Sequence, residues 1–322
     1  MTATLALKPP VSTNVVFLDG ITRTGKLLTS KLLSSLQRVD YFMHSPILEH
    51  IPTLWRFGVL QRNAAACILR MNIDVLIYDR MVGRNLNSRW SDASYVGRAA
   101  DYPSYVRRST APEGPSAVDA FNAAGRMALF LTHELLPSAD LVFEAVPYLK
   151  LIEIERHPVD VIHSWWRRGW GERFGKDPLA FTPVATTGGT EIPWFAMHIS
   201  DTYATMSPME RCAEGVLKLI DTGAAALSAL DGAIRKRILF LSYETIVRQP
   251  AEAMAEVAVF LETEPHDTLA ATIAAEKLPR PERLTSRSAK EQEIRSMISA
   301  GCFERLQLAA QAYEARHSQK QP

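Results

Sequence analysis

The sequence predicts an α/β protein built as a three-layer parallel sheet with helices on both faces, interrupted by long inserted loops and helices. Three observations carry that expectation. Short β-rich runs alternate with stretches of helical periodicity along most of the chain. The first run, Val15–Leu18, passes through Gly20-Ile21-Thr22-Arg23-Thr24-Gly25-Lys26 straight into a helical pattern. A later run ends in Arg156, and Pro158 then opens another helical pattern.

In chain order the expected strands are Asn14–Leu18, Val39–Met43, Ile73–Tyr78, Ala128–Thr132, Lys150–Glu155 and Arg237–Ser242. Ligands of parallel sheets bind at the carboxyl ends of strands. The candidates are therefore Arg23 to Lys26, His44, Asp79 and Arg80, His133 and Glu134, Arg156 to Asp160, and Tyr243 and Glu244. Residues 1–12 read as a flexible N-terminus and 13–322 as a single domain. Residues 82–115 and 170–193 read as insertions of the kind that form lids or binding loops, and 288–318 as a polar C-terminal helix.

At 322 residues and 47% hydrophobic content the chain is able to bury a large core. A net charge of +1 gives no global attraction to nucleic acid or an anionic membrane, so an anion site has to come from a local cluster. Cys67, Cys212 and Cys302 are odd in number and widely spaced, which argues against a disulfide framework or structural zinc and for a cytoplasmic setting. No run has the length of a membrane span, and Met1 to Val11 lacks the pattern of a secretory leader.

Gly20 to Lys26 follows the Gly-x4-Gly-Lys spacing, in which backbone N–H groups and a helix dipole converge on an anion. The residue after the lysine, which in a magnesium-dependent P-loop is a Ser or Thr, is Leu27, so no metal ligand stands there and no metal is expected. The plainer alternative is a glycine pair that merely turns a corner. Arg156 at a strand end and Ser164 two turns into the following helix suit a second phosphate. Their alternative is an Arg156–Asp160 salt bridge with Ser164 on the helix surface.

These segments resemble the sulfotransferase family, whose members transfer a sulfuryl group from 3′-phosphoadenosine-5′-phosphosulfate (PAPS) to an acceptor on a P-loop NTPase-like architecture. Gly20 to Gly25 is similar to the family's 5′-phosphosulfate loop, and Arg156-His157-Pro158-Val159-Asp160 with Ser164 to its 3′-phosphate motif. Leu239 to Glu244 with Gln249-Pro250 and Val259-Phe260-Leu261 resembles its Tyr-Glu-Asp segment. The resemblance implies that Thr22, Arg23, Thr24, Gly25, Lys26 and Leu27 surround the 5′ end of PAPS. It implies Arg156 and Ser164 at the 3′-phosphate, with Tyr243 alongside. Leu131-Thr132-His133 looks like the family's Lys-Thr-His, which implies His133 as general base, a role that imidazole chemistry suits. The family's lysine is Leu131 here, so Lys26 is expected to supply the missing charge beside Arg23. The C-terminal Arg-Lys-Gly signature is absent, leaving Arg280, Arg283 or Arg287 to complete the 3′-phosphate site.

His44 or Glu49 are alternative bases. Trp165, Trp166 and Trp170 with Arg167, Arg168 and Arg173 are expected to wall the cleft or, alternatively, to pack a helix with a solvated basic face. Asp79 to Asp92 reads either as recognition of a polyhydroxylated or anionic acceptor or as a contact within a homodimer. The expected acceptor is a carbohydrate or other small molecule. The rival reading is a P-loop nucleoside or nucleotide kinase, because Tyr78-Asp79-Arg80 also resembles the Asp-Arg strand end of that class. A non-catalytic nucleotide-binding protein is the third.

Overall fold

The computed structural model describes residues 4–318. Five strands, β1 (Val15–Asp19), β2 (Met43–His44), β3 (Ala128–Leu131), β4 (Lys150–Glu155) and, after the hairpin of β5 (Val184–Thr187) and β6 (Thr190–Pro193), β7 (Ile238–Ser242), define the sheets. The central sheet has the order β2-β3-β1-β4-β7, and all its pairings are parallel. β1 is buried along its whole length, which is why it reads as a continuous apolar run.

The two-residue period of the strands divides their side chains between two cores. Val16 and Leu18 join Leu129, Leu131 and Ile152 against the Lys26–Leu33 and Pro250–Leu261 helices. Val15 and Phe17 join Phe130 and Leu151 against the Arg62–Met81 and Ala139–Ala145 helices. A third core, around Trp165, Phe195, Val216 and Phe303, unites the Pro158–Trp166, Pro208–Ala229 and Ala300–Ser318 helices. The fold is thus the α/β three-layer arrangement that the alternation predicts.

Several elements differ from expectation. Ile73–Tyr78 is not a strand but the end of the 20-residue Arg62–Met81 helix. Ile73 and Ile77 are buried while Val75 is 58% exposed, an in-out-in pattern that fits a strand at period two and a helix at i, i+4 alike. The length of the apolar pattern upstream, through Ala65, Ala66 and Leu69, decides for the helix. The strand expected over Val39–Met43 shrinks to Met43–His44 with an isolated bridge from Val39 to Met127. In between, the N–H of Tyr41 donates to the Tyr105 hydroxyl (2.7 Å) and that of Phe42 to the Ser34 hydroxyl (3.3 Å), so side chains replace the strand ladder.

The tail expected as one helix over 288–318 is two, Arg287–Arg295 and Ala300–Ser318. The break is held by the Ser207 hydroxyl donating to the Met297 carbonyl (2.9 Å) and the Ser299 N–H donating to Glu210 Oε1 (3.1 Å). The 170–193 insertion contains the β5–β6 hairpin, whose turn residues Gly188 and Gly189 have φ of 57° and 77°, the positive values a tight hairpin turn requires. The N-terminal arm, expected to be flexible, is tied down in its described part. Leu5 exchanges two hydrogen bonds with the Asn63 side chain (2.8 and 3.0 Å), and the Val11 N–H donates to Asp74 (3.2 Å). The three cysteines are buried free thiols. Among the described residues no helix is long and apolar enough to cross a membrane.

Candidate active site

The turn after β1 is where the sheet and its first helix meet. Gly20, Arg23 and Gly25 have φ of 141°, 80° and 101°, so the backbone reverses tightly before the helix begins at Lys26. Gly25 is the helix N-cap and makes no side-chain capping bond, which leaves first-turn N–H groups without an intrahelical partner. A Cβ at Gly25 would collide with the Tyr243 ring, so the turn lies directly against β7's end. Thr24 closes the turn on itself, its N–H and hydroxyl both donating to the Ile21 carbonyl (3.2 and 2.8 Å).

On one side of the turn three guanidinium groups converge. Arg23 Nε donates to the Ser164 hydroxyl (3.1 Å), and Arg156 Nη1 donates to the Arg23 carbonyl (3.0 Å). The Arg156 guanidinium stacks on the Tyr243 ring, 4.5 Å from its centroid, and its buried Nε has no hydrogen-bond partner. Burial and then the nearby charges of Arg168 and Arg156 pull the Arg23 pKa below its ordinary value, and among the described residues no carboxylate forms an ion pair with Arg23. The structure thus brings Arg23, which the sequence assigns to the 5′ end of the donor, into direct contact with Ser164 and Arg156, which it assigns to the 3′-phosphate, and Arg168 is the member it placed only on a cleft wall.

The Arg156–Asp160 salt bridge does not form. Asp160 instead takes Arg287 Nε (3.1 Å) and Lys290 Nζ (2.5 Å), while Arg287 Nη2 also reaches Glu244 (3.0 Å). Burial would raise the Asp160 carboxyl, but Lys290, Arg156 and Arg287 outweigh it and hold its pKa below the usual range. Arg287 therefore stands beside the Arg156 cluster, engaged with acids. Arg280 lies apart, its N–H on the Val247 carbonyl (2.9 Å), and the Arg283 side chain lies outside what the structure describes.

Lys26 is placed differently from expectation. Its ammonium donates to the Gly20 carbonyl beneath the turn and is 4% exposed. Burial pulls its pKa down, and Glu134, Asp19 and Glu153 act against that pull. It faces the carboxylates of the sheet end, and the arginine cluster lies on the other side. Asp19 in turn accepts from the Thr132 hydroxyl (3.0 Å) and the Leu135 N–H (2.8 Å), which fixes the chain after β3. Leu27 is 51% exposed.

On the opposite side an open cleft of about 740 Å³ is lined by Thr22, His44, Glu49, His133, Trp170 and Phe181, among others. All three sequence-nominated bases meet there. His133 Nδ1 donates to Glu49 Oε1 (2.7 Å), and His44 Nε2 lies 3.2 Å from the same oxygen. Because a carboxylate only accepts, His133 carries a proton on Nδ1, and in the neutral ring Nε2 then keeps its lone pair. Burial would raise the Glu49 carboxyl, but the hydrogen bonds from His133 and His44 outweigh it and set its pKa at about 2. Glu134, which the sequence places only as a strand-end neighbour, accepts both the N–H (2.7 Å) and the hydroxyl (2.5 Å) of Thr22.

Trp165 and Trp170 line the cleft with Phe174 and Phe195, and Arg173 is at its edge. Trp165 also donates from Nε1 to the Thr22 carbonyl (2.7 Å), one residue from Ser164. Arg167 and Trp166 are absent from this lining, and so is every residue of Asp79 to Asp92. Asp79 and Arg80 end a helix; Asp79 accepts from Asn85 (2.6 Å), and Arg80 is buried against the Tyr41 and Phe42 carbonyls (3.1 and 3.3 Å). The strand-end likeness to nucleoside kinases is thereby removed. Phe174 and Phe181 carry no pattern in the sequence that marks them, because their insertion has to fold back before they line the cleft with His133.

Solved structures similar to this chain include three sulfotransferases. The sulfotransferase domain from the curacin biosynthetic pathway has 14% identity and a TM-score of 0.43, over 81% of this chain and 77% of that one. The sulfotransferase domain from the Synechococcus PCC 7002 olefin synthase has 15% identity and a TM-score of 0.44, over 93% and 94%. Sulfotransferase STF9 from Mycobacterium avium has 12% identity and a TM-score of 0.42, over 83% and 68%. No curated protein sequence matches the chain. The sulfotransferase domain family matches residues 15–303, a span that contains the turn after β1, the His133 strand end, the Arg156–Ser164 segment and Tyr243, and the chain belongs to that family.

Proposed function

We propose that the protein transfers the sulfuryl group of PAPS to the hydroxyl of a small-molecule acceptor. The observation that carries this reading is the Arg23–Ser164–Arg156 contact set, which gathers cations and a hydroxyl beside a phosphate-cradling turn without a carboxylate partner. The unpaired Nε of Arg156 and the unoccupied donor capacity of Ser164 fit a phosphate. When bound, PAPS supplies a sulfuryl group linked through a bridging oxygen to a leaving 5′-phosphate.

In this reading Arg23 and the amides at Gly25 to Leu27 stabilise the charge that grows on the leaving phosphate, while Arg156 and Ser164 hold the 3′-phosphate. Tyr243 supports Arg156 through its ring, and Arg287 fixes Asp160 and Glu244 behind that site. Lys26 sits among Asp19, Glu134 and Glu153, whose charges favour its ammonium, and holds the Gly20 carbonyl beneath the turn. His133 Nε2 takes the acceptor proton as the acceptor oxygen bonds to sulfur and the bridging S–O bond breaks. Glu49 keeps His133 in the required tautomer. A sulfuryl group carries less charge than a terminal phosphate, and arginines with backbone N–H groups serve where Leu27 leaves no magnesium ligand. The aromatic walls of the cleft favour an acceptor with an apolar or aromatic body over a carbohydrate.

The test is a calorimetric and thermal titration with adenosine 3′,5′-bisphosphate set against Mg-ATP. Saturation at a hundredfold excess over Kd adds about 2.7 kcal/mol of stability. Stabilisation by the bisphosphate alone is expected; stabilisation by Mg-ATP alone refutes the reading.

A further inference from the structure

His44 ends β2, Glu49 lies in the first turn of the Ile47–Arg56 helix, and His133 follows β3. A ligand atom from each of the three lies within 4.8 Å of the others. We propose that these residues form a binding site for a zinc-class divalent cation at the rim of the cleft, and that a bound ion switches off His133 as a base.

The donor set is one that borderline metals select, two imidazoles and a carboxylate. Two ligands of one tetrahedral zinc stand about 3.3 Å apart, given bonds of about 2.0–2.1 Å. The His133 Nδ1 to Glu49 Oε1 and His44 Nε2 to Glu49 Oε1 separations are 2.7 and 3.2 Å, both within an ångström of that value, and no two of the three ligand atoms are more than 4.8 Å apart. The imidazole rings stand at 86° with centroids 5.2 Å apart, which lets their nitrogens converge instead of stacking. The three side chains are 37% (His44), 20% (Glu49) and 23% (His133) exposed, leaving a path for a hydrated ion and an open coordination position toward the cleft.

The effect on His133 follows from its tautomer. Without metal, Nδ1–H donates to Glu49 and Nε2 keeps its lone pair. An ion on Nδ1 requires the ring proton to sit on Nε2, where it leaves no lone pair for an acceptor hydroxyl. The ring gains and loses no net proton; its basic nitrogen is the one the ion now holds. The site itself does not depend on the sulfuryl-transfer reading, but the switch does.

The full-length chain, free of affinity tag and treated with chelator, is titrated with zinc chloride by calorimetry and with cobalt chloride by visible absorption. One ion per chain is expected, with the d–d bands of low-coordinate cobalt. Affinity should fall by more than the roughly 10- to 100-fold that loss of a mere outer-shell partner causes in each of His44→Ala, Glu49→Gln and His133→Ala. Equal affinity in all three variants, or no binding at millimolar metal, overturns the site. In the second arm, zinc should suppress sulfuryl transfer and chelator should restore it. Transfer that continues with the triad saturated overturns the switch. A chain that binds zinc through the triad yet transfers no sulfuryl group even after chelator has removed the metal keeps the site and refutes the function proposed above.

Discussion

Ser164→Ala tests the anion site through one atom. The Ser164 hydroxyl accepts from Arg23 Nε at 3.1 Å, and its own hydrogen remains available to a phosphate oxygen. A hydrogen bond to a charged group contributes about 1.5–3 kcal/mol, and every 1.36 kcal/mol is tenfold. The Kd for adenosine 3′,5′-bisphosphate should therefore rise about 10- to 100-fold in the variant. Ser164 is only half-buried and lies outside the third core, so the ligand-free melting temperature should move little. Calorimetric titration gives the Kd and differential scanning gives the melting point. An unchanged Kd in a folded variant would show that Ser164 serves Arg23 alone and that the phosphate binds elsewhere.

Glu49→Gln keeps the size of the side chain but removes the charge that fixes His133 Nδ1–H, so kcat should fall about tenfold or more while bisphosphate Kd stays constant; a shift confined to Kd would refute the positioning role. Because the Glu49 carboxyl titrates at about 2, wild-type activity between pH 4 and 8 should show no inflection from it. Asp40 is fully buried between Arg108 (2.8 and 3.1 Å) and Arg126 (2.7 Å). Burial would raise its carboxyl, but Arg108 and Arg126 outweigh it and depress the pKa, so its contribution is complete above the unfolded value near about 4 and is lost as pH falls through the folded one. Asp40→Asn should cost about 3 kcal/mol at pH 7, the low end for a broken buried pair, because the two arginines keep some solvent contact. At about 2.1 cal/mol/K of unfolding entropy per residue over 322 residues this is a drop of about 4 °C, seen by calorimetry and shrinking below pH 4.

The two errors of strand assignment share a cause. Ile73 and Ile77 bury the same face whether the chain is a strand or a helix, and Val39–Met43 loses its ladder to the hydroxyls of Tyr105, from a distant segment, and of Ser34, at the end of the preceding helix. Neither outcome is visible in a local window, where apolar spacing is the only signal. Charged groups behave likewise: the partners that Asp160 takes are on the Arg287–Arg295 helix, and the spacing to Arg156 gives no hint of them.

What the sequence by itself determined is the parallel sheet, the turn with its glycines, and the placing of Arg23, Arg156, Ser164, His44, Glu49 and His133 near carboxyl ends of strands. These follow from backbone rules that act over a few residues, since apolar runs make buried strands and only glycine takes the turn's most strained angles. Only the tertiary structure decided that His44, Glu49 and His133 share one carboxylate oxygen, that Lys26 faces buried acids, and that phenylalanines from the second insertion wall the cleft. Side-chain direction and charge pairing are settled by which distant segment packs alongside, and that information exists only once the helices have closed over the sheet.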